Sequence, residues 1–347
     1  MQESRVGYGF IVMASIVIVL AGIKSASAII VPFLLSLFIA IILLPSYNYF
    51  KRRGIPESLS LFFVIGFFVF SLALVGKLIG NSVTEFSANI DMYSHKLNDY
   101  YIAIIAFTQE YGIDIPVNEL STLMDSKKIM AFSTSILQSM GSIFADGFVI
   151  MLTVIFMMLE STHFSEKISL SNRNNKTMMH IQNISQKIKH YMALKALMSL
   201  VTGFIIWVSL LYIGTDYAFL WAVLAFLFNF IPNIGSIVAA VPAVLITLVQ
   251  LGSFSAFLVA IVYVVVNTVV GSIVEPKVMG RGLGLSTLVV FLSLLFWGWL
   301  LGVVGMLLSI PLTIMAKIAF DANTKTKWIA TLLGTGEKIV EIEKEKK

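Results

Sequence analysis

Hydrophobic residues in this chain form long unbroken runs separated by short polar or basic stretches. Six runs, 6–23, 26–44, 57–80, 142–159, 196–213 and 254–274, are close to the roughly 20 residues a helix needs to cross a bilayer. Two more, 217–251 and 285–320, are too long for one upright helix and are interrupted. The first breaks at Pro232-Asn233-Ile234-Gly235, the second around Gly302, Gly305 and Pro311. Continuous runs such as 10–20 and 288–296 exclude a transmembrane β-barrel, whose strands alternate apolar and polar positions. The pattern predicts an all-α polytopic membrane protein with about eight hydrophobic passes, two of them re-entrant helical hairpins, and a small helical extramembrane domain.

Composition fits that class. Of the 347 residues 58% are hydrophobic and 12% charged, against about 25% charged in soluble domains. With a mean hydropathy of +0.92, lipid has to be the solvent for most of these surfaces. The chain has no cysteine, which removes disulfides and thiolate chemistry from consideration. A net charge of +5 would suit nucleic acid, but the basic residues sit beside apolar runs, where they set topology and face anionic headgroups. Nucleic acid is therefore not an expected partner; membrane lipid is. No cleavage motif follows the first run, so it reads as a retained helix.

Charge also orients the chain. Arg5 and the cluster Lys51, Arg52, Arg53 place the N-terminus and the second loop in the cytoplasm. Residues 81–140 carry seven acids against three lysines and read as an outer helical region, with Tyr93, Leu97, Tyr100, Ile104 and Phe107 forming one face. A basic stretch follows the fourth run, with no acid between Lys167 and Thr215. The organisation is then 1–80 for helices one to three, 81–140 for the acidic extracytoplasmic domain and 141–160 for helix four. A basic cytoplasmic linker helix follows over 161–195, then the broken-helix core at 196–320 and a charged cytoplasmic tail at 321–347. Each interrupted run is open to two geometries, a kinked full span or two half-helices forming a hairpin. Two hairpins put residues 275–281, with Lys277 and Arg281, on the basic side; two full spans put them opposite. Charge favours hairpins.

Catalytic motifs are missing: the sequence has no H-E-x-x-H, no G-x-S-x-G and no P-loop. The four histidines, His95, His163, His180 and His190, have no ligand spacing, and no cofactor or metal site is expected. The Gly280-Arg281-Gly282-Leu283-Gly284 run precedes a membrane helix and follows no strand, which argues against a nucleotide loop. An enzyme is not expected. Instead, the candidate chemistry is that of broken helices. Pro232 removes an amide donor and Gly235 permits an unusual backbone, freeing peptide groups that survive at membrane depth only beside protein, water or ligand. Asn229, Asn233 and Ser236 would offer donors and acceptors to a small polar solute at the start of a half-helix. A plain kink satisfied by neighbouring helices is the competing explanation. A second cluster holds Ser286 and Thr287, with Ser309 and Pro311 on the far limb. Glu275 and Arg281 are gating or coupling candidates if they lie below the headgroups, and topology anchors if they do not.

The strings FNFIPNIGSIVAAVPA (228–243) and VEPKVMGRGLGLSTLVVFLSLLFWGWLLGVVGMLLSIPLTI (274–314) resemble the signature regions of the autoinducer-2 exporter family of bacterial membrane proteins. The resemblance implies an eight-pass protomer with two hairpins in the bacterial inner membrane, both termini cytoplasmic. It also implies homopentameric assembly and export of a small polar signalling molecule by an elevator-type movement. It points to the tips at 231–236 and around 302–311. Sodium or lithium/proton exchange, also associated with the broad family, is an alternative and needs a buried carboxylate, for which Glu275, Asp216, Asp146 and Glu160 are the candidates. A non-transporting scaffold built on residues 81–140 is the alternative of another class.

Single cysteines at Gly252 and Met279 of this cysteine-free chain separate the two topologies. Two hairpins are expected to make Gly252→Cys reactive to an impermeant maleimide from outside and Met279→Cys from inside. The opposite pattern means two full spans.

Overall fold

A computed structural model describes residues 2–111, 131, 134–135, 146–171, 175–232, 234–279, 284–321 and 325–334. The first helices are α1 (Gln2–Ser25), α2 (Ser27–Arg52), α3 (Glu57–Ala88) and α4 (Ile90–Glu110). Next come α5 (Gly147–Ser171), α6 (Asn175–Ile213), α7 (Ala218–Phe228) and α8 (Gly235–Leu251). Helix α9 (Ser253–Val266) passes through a π-helical segment, Asn267–Val274, into the short α10 (Glu275–Met279). The last described helices are α11 (Thr287–Leu307), α12 (Ser309–Asp321) and α13 (Lys327–Leu332). No strand occurs among the described residues.

By length and composition, five described helical stretches are long and apolar enough to cross a membrane: Ser27–Arg52, Glu57–Ala88, Ile188–Ile213, Ser253–Val278 and Thr287–Leu307. Their outer faces stay apolar. On α3, Phe62, Phe67 and Phe70 are 66–72% exposed, an arrangement stable only against lipid or another apolar surface. Two helices exceed the sequence expectation. The second run was expected to end at Pro45, yet α2 continues through it to Arg52, since a membrane helix keeps a proline when its neighbours supply the missing bonds. Elsewhere on α2, the Ser36 hydroxyl donates to the carbonyls of Pro32 and of Ile150, which ties the helix to α5. The linker helix and the fifth run form one uninterrupted 39-residue helix, α6, about 58 Å long at 1.5 Å per residue. Nothing between Asn175 and Thr202 breaks it, there being no proline or glycine in that stretch.

The interrupted runs both double back. In the first, α7 and α8 pack on each other, and the two ends of the pair are tied at one base. The Thr215 and Thr247 hydroxyls lie 3.1 Å apart, the Asp216 amide donates to Gln250 Oε1 at 2.7 Å, and Gln250 Nε2 donates to Asp216 Oδ1 at 2.8 Å. The 11 residues of α7 span about 17 Å, roughly half of a 30 Å apolar core. At the tip a Cβ on Gly235 would overlap the carbonyl oxygen of Phe228, so only glycine lets the limbs meet there. In the second, the reversal is at Gly302 (φ 66°, ψ −151°) inside α11. A Cβ on Gly305 would overlap the Trp297 carbonyl, and the Trp297 indole donates to Thr313 Oγ1 at 3.0 Å across the limbs. Its base is closed by Lys317 Nζ donating to the Gly284 carbonyl and by the Ser286 amide donating to Leu333 at 3.3 Å. The reversal is narrower than the expected 302–311, with Ser309 and Pro311 on the returning helix α12.

Within the 81–140 region, residues 112–130, 132–133 and 136–140 lie outside the described residues, and its helix α4 is seen on the base of the first hairpin. Asn89, Tyr93 and Lys96 recur at helical spacing. Asn89 Nδ2 donates to the Tyr217 hydroxyl (3.2 Å), and Tyr93 lies 3.3 Å from the same hydroxyl. Lys96 Nζ donates to the Val249 carbonyl (3.4 Å). Tyr217 is the one non-glycine residue with positive φ (58°) among those described, and these contacts hold it there. Burial, with Tyr217 and Asp216 adding to it, raises the Tyr93 phenol above its ordinary range, keeping it a neutral hydrogen-bonding group.

Gly235→Ala and Gly305→Ala are expected to lower the melting temperature of the purified protein by several degrees. Forced overpacking typically costs about 1–3 kcal/mol. Gly66→Ala, at a position with open space around it, is expected to be neutral or slightly stabilising. Equal melting of all three variants in a detergent thermal-shift assay contradicts the close approach of the limbs.

Candidate functional site

The buried face of α6 runs through Ile188, Met192, Lys195, Ser199, Thr202, Ile206 and Leu210, at steps of three and four. Three consecutive positions on it are polar. Lys195 is 4% exposed and its Nζ donates to Glu275 Oε1 at 2.6 Å. Four residues on, Ser199 is fully buried and accepts from Asn229 Nδ2 at 3.0 Å. Thr202 follows, 6% exposed.

Glu275 reaches Lys195 because of the π segment. Buried residues along α9 and the π segment are Ala256, Val259, Tyr263, Val266 and Val270, at steps of three and four; Val274 and Glu275, four and five residues on, are half-buried. A π turn adds the extra residue and keeps the carboxylate on the inward side. A charge pair in an apolar interior is expensive unless its geometry is good, and one partner without the other is worse.

Asn229 follows α7 directly as its C-cap, so the first tip and α6 share a hydrogen bond. Gly235 makes the close limb contact described above, and Pro232 supplies the carbonyl that accepts the Ile234 amide at 2.7 Å. Ser236 lines a lateral groove of about 360 Å³ between α8 and α9, whose other walls include Ile237, Val241, Val264, Tyr263 and Asn267. Asn233 and Arg281 lie outside the described residues. Phe230, at the tip, packs against the apolar clusters of both hairpins. On the second hairpin, Ser309 is fully buried and Pro311 is also buried. The Ser309 carbonyl accepts from Thr313 Oγ1 at 2.7 Å, and Thr313 in turn accepts from Trp297. The Ser309 and Thr202 hydroxyls are the buried side-chain polar atoms that have no hydrogen-bond partner among the described residues, a situation that costs about 1–3 kcal/mol each.

Ser286 and Thr287 do not join this group. Ser286 caps α11, its hydroxyl accepting from the Val289 amide at 3.3 Å, and Thr287 is exposed. Fifteen residues of helix, about 22 Å, separate them from the reversal at Gly302. Of the other carboxylates, Asp216 is engaged at the base of the first hairpin and Asp146 is exposed. What the sequence expectation missed is α6: Lys195 was assigned to a basic linker, and Ser199 and Thr202 were passed over. The available signal was polar residues spaced four and three apart at the start of an otherwise apolar run. Among the described residues the arrangement holds hydroxyl and amide groups, with the Trp297 indole N–H already given to Thr313.

Residues 13–325 match the family described as AI-2E family transporter. The chain is 40% identical over 324 residues to the AI-2 transport protein TqsA of Escherichia coli (strain K12), covering 93% of this chain and 94% of that protein. It is 38% identical over 327 residues to the putative transport protein YhhT of the same organism, covering 93% of each. A putative transport protein of Haemophilus influenzae is 41% identical over 334 residues, 94% of this chain and 95% of the relative. With that match running over nearly its whole length, this membrane protein belongs to the AI-2E transporter family.

Proposed function

We propose that the protein is a secondary transporter that exports a small polar signalling solute of the autoinducer-2 class across the bacterial inner membrane. The observation that carries this is the meeting of two base-closed hairpins, bridged at Phe230, beside a buried polar face. The name of TqsA as an AI-2 transport protein supports the solute class. In this reading Asn229, Pro232, Asn233, Gly235 and Ser236 at one tip, with Ser309 and Pro311 on the other hairpin, form the solute site. Ser286 and Thr287 line the entrance to the second hairpin. Both termini are cytoplasmic, residues 81–140 are extracytoplasmic, and one hairpin opens to each side. Movement is elevator-type, the hairpins shifting relative to the outer helices, in a homo-oligomer for which the family resemblance implies five copies. The sequence contains no P-loop, so the solute's own gradient or an ion gradient supplies the energy.

Glu275 and Arg281 are the coupling residues of this reading, with Lys195 as partner to Glu275. A cation/proton antiporter wants a carboxylate that alternates between proton and cation. The pairing of Glu275 with Lys195 at 2.6 Å argues for a gate instead.

Proteoliposomes loaded with autoinducer-2 test the transport reading. Wild-type protein is expected to release it faster than empty liposomes do. Asn233→Ala, Ser236→Ala is expected to slow release roughly tenfold, the loss of two hydrogen bonds of about 0.5–1.5 kcal/mol each. Equal rates in all three preparations refute the proposal.

Replacing one member of the ion pair leaves the other buried and unpaired. Lys195→Met is expected to destabilise by about 3–5 kcal/mol, and adding Glu275→Gln to restore most of that. Thermal melting reads the stability, and solute efflux is expected to remain impaired in the stable double variant. Normal efflux from it removes the pair from the gate.

A further inference from the structure

Helices α8 and α9 meet at the turn of Gly252 and pack on each other. Ser236 lies fifteen residues before Leu251, and Asn267 fourteen after Ser253. At 1.5 Å per residue the two stand about 22 and 21 Å from the turn, at nearly one height. Both line the groove of about 360 Å³ between the helices. Among the described residues three polar side chains line it, and Tyr263 gives its hydroxyl to the Trp221 carbonyl at 3.5 Å. The Ser236 hydroxyl and the Asn267 carboxamide make no hydrogen bond among the described residues.

An apolar pocket with a few placed polar groups is the common form of a small-molecule site. The rest of this wall, with Ala240, Val244, Leu245 and Ala260, is apolar, and no charged side chain joins it among the described residues. Asn267 sits near the middle of the membrane-length stretch Ser253–Val278, where an amide without a partner is costly. Its backbone setting is also unusual. It opens the π-helical segment Asn267–Val274, a rare form of helix that recurs at functional sites. Gly271, one turn on, leaves the carboxamide its place, since a Cβ there would lie 3.3 Å from Asn267 Oδ1.

We propose that Asn267 is a solute-binding residue, paired with Ser236 across the head of the α8–α9 groove. The solute is then held between the first hairpin tip and the π segment, not by the hairpin alone. An amide both donates and accepts, so this contact selects by hydrogen-bond pattern and not by charge. The inference rests on the transport reading above, which puts Ser236 at the solute, and adds the opposite wall to that site.

The test uses the full chain as wild type, Asn267→Leu, Asn267→Cys and Phe254→Cys, in detergent and in proteoliposomes loaded with autoinducer-2. Asn267→Leu is expected to melt at or slightly above the wild-type temperature, because an unpaired amide gives way to an apolar side chain of similar size. Its half-saturating autoinducer-2 concentration for efflux is expected to rise roughly tenfold, with the maximal rate kept. In this cysteine-free chain Asn267→Cys is expected to react with N-ethylmaleimide and to be protected by autoinducer-2. Phe254→Cys, exposed at the foot of α9, is expected to react equally with and without it. Melting of Asn267→Leu several degrees below wild type means the amide is structural and overturns the inference. So does a thiol at 267 that never reacts, or reacts regardless of solute. Efflux from wild type with unchanged half-saturation in Asn267→Leu keeps the transport reading and rejects Asn267. No efflux from wild type sinks the transport reading, and this inference with it.

Discussion

A chain that reverses direction in an apolar medium must keep its peptide groups bonded without help from water. In this protein both reversals also share one steric device, a glycine of one limb lying close against a carbonyl of the other. Gly235 meets Phe228 and Gly305 meets Trp297; any side chain at either glycine would hold the limbs apart. The rest follows from those two contacts. Half-length helices become possible, their bases come together at Gln250 with Asp216 and at Lys317 with Gly284, and both tips reach the region where Phe230 packs.

Helix α6 supplies the surface against which this happens. It packs on α7, α9 and α12, and its buried stripe changes from apolar to polar and back along one face. Two of the polar positions are matched, Lys195 by Glu275 from the end of the α9 path and Ser199 by Asn229 from the first tip. The Coulomb and hydrogen-bond terms here are strong because the surroundings are dry, and for the same reason an unmatched member is costly. That asymmetry explains why a polar stripe can be kept in a helix that is otherwise a membrane span.

The hairpins are also held differently from outside. The first is tied to α4 through Asn89, Tyr93 and Lys96, which fix the left-handed Tyr217 at its base. The second is tied to the end of α13 through Leu333 and to α1 through Lys24, whose ammonium lies 4.4 Å from the Trp299 ring centroid. The two hairpins thus share a tip contact but have separate anchors.

Hydrophobic run length alone determined the membrane class, the helical fold and the existence of two interrupted segments, because bilayer thickness and backbone satisfaction permit few alternatives. Proline and glycine at 232–235 and glycine at 302 marked where the helices break, since these residues alter the backbone locally. What a run length cannot encode is which face turns inward. That Asn229 pairs with Ser199, and that Lys195 belongs to the interior instead of a basic linker, depended on how α6 rotates against the hairpins. The five-residue step to Glu275 depended on a π segment that no apolar pattern announces. Ser286 and Thr287, close to the second tip's chemistry in composition, were left about 22 Å from it by the straight helix that follows them. Sequence set the elements through local and solvent constraints; the meeting of distant side chains at the site was decided only by packing.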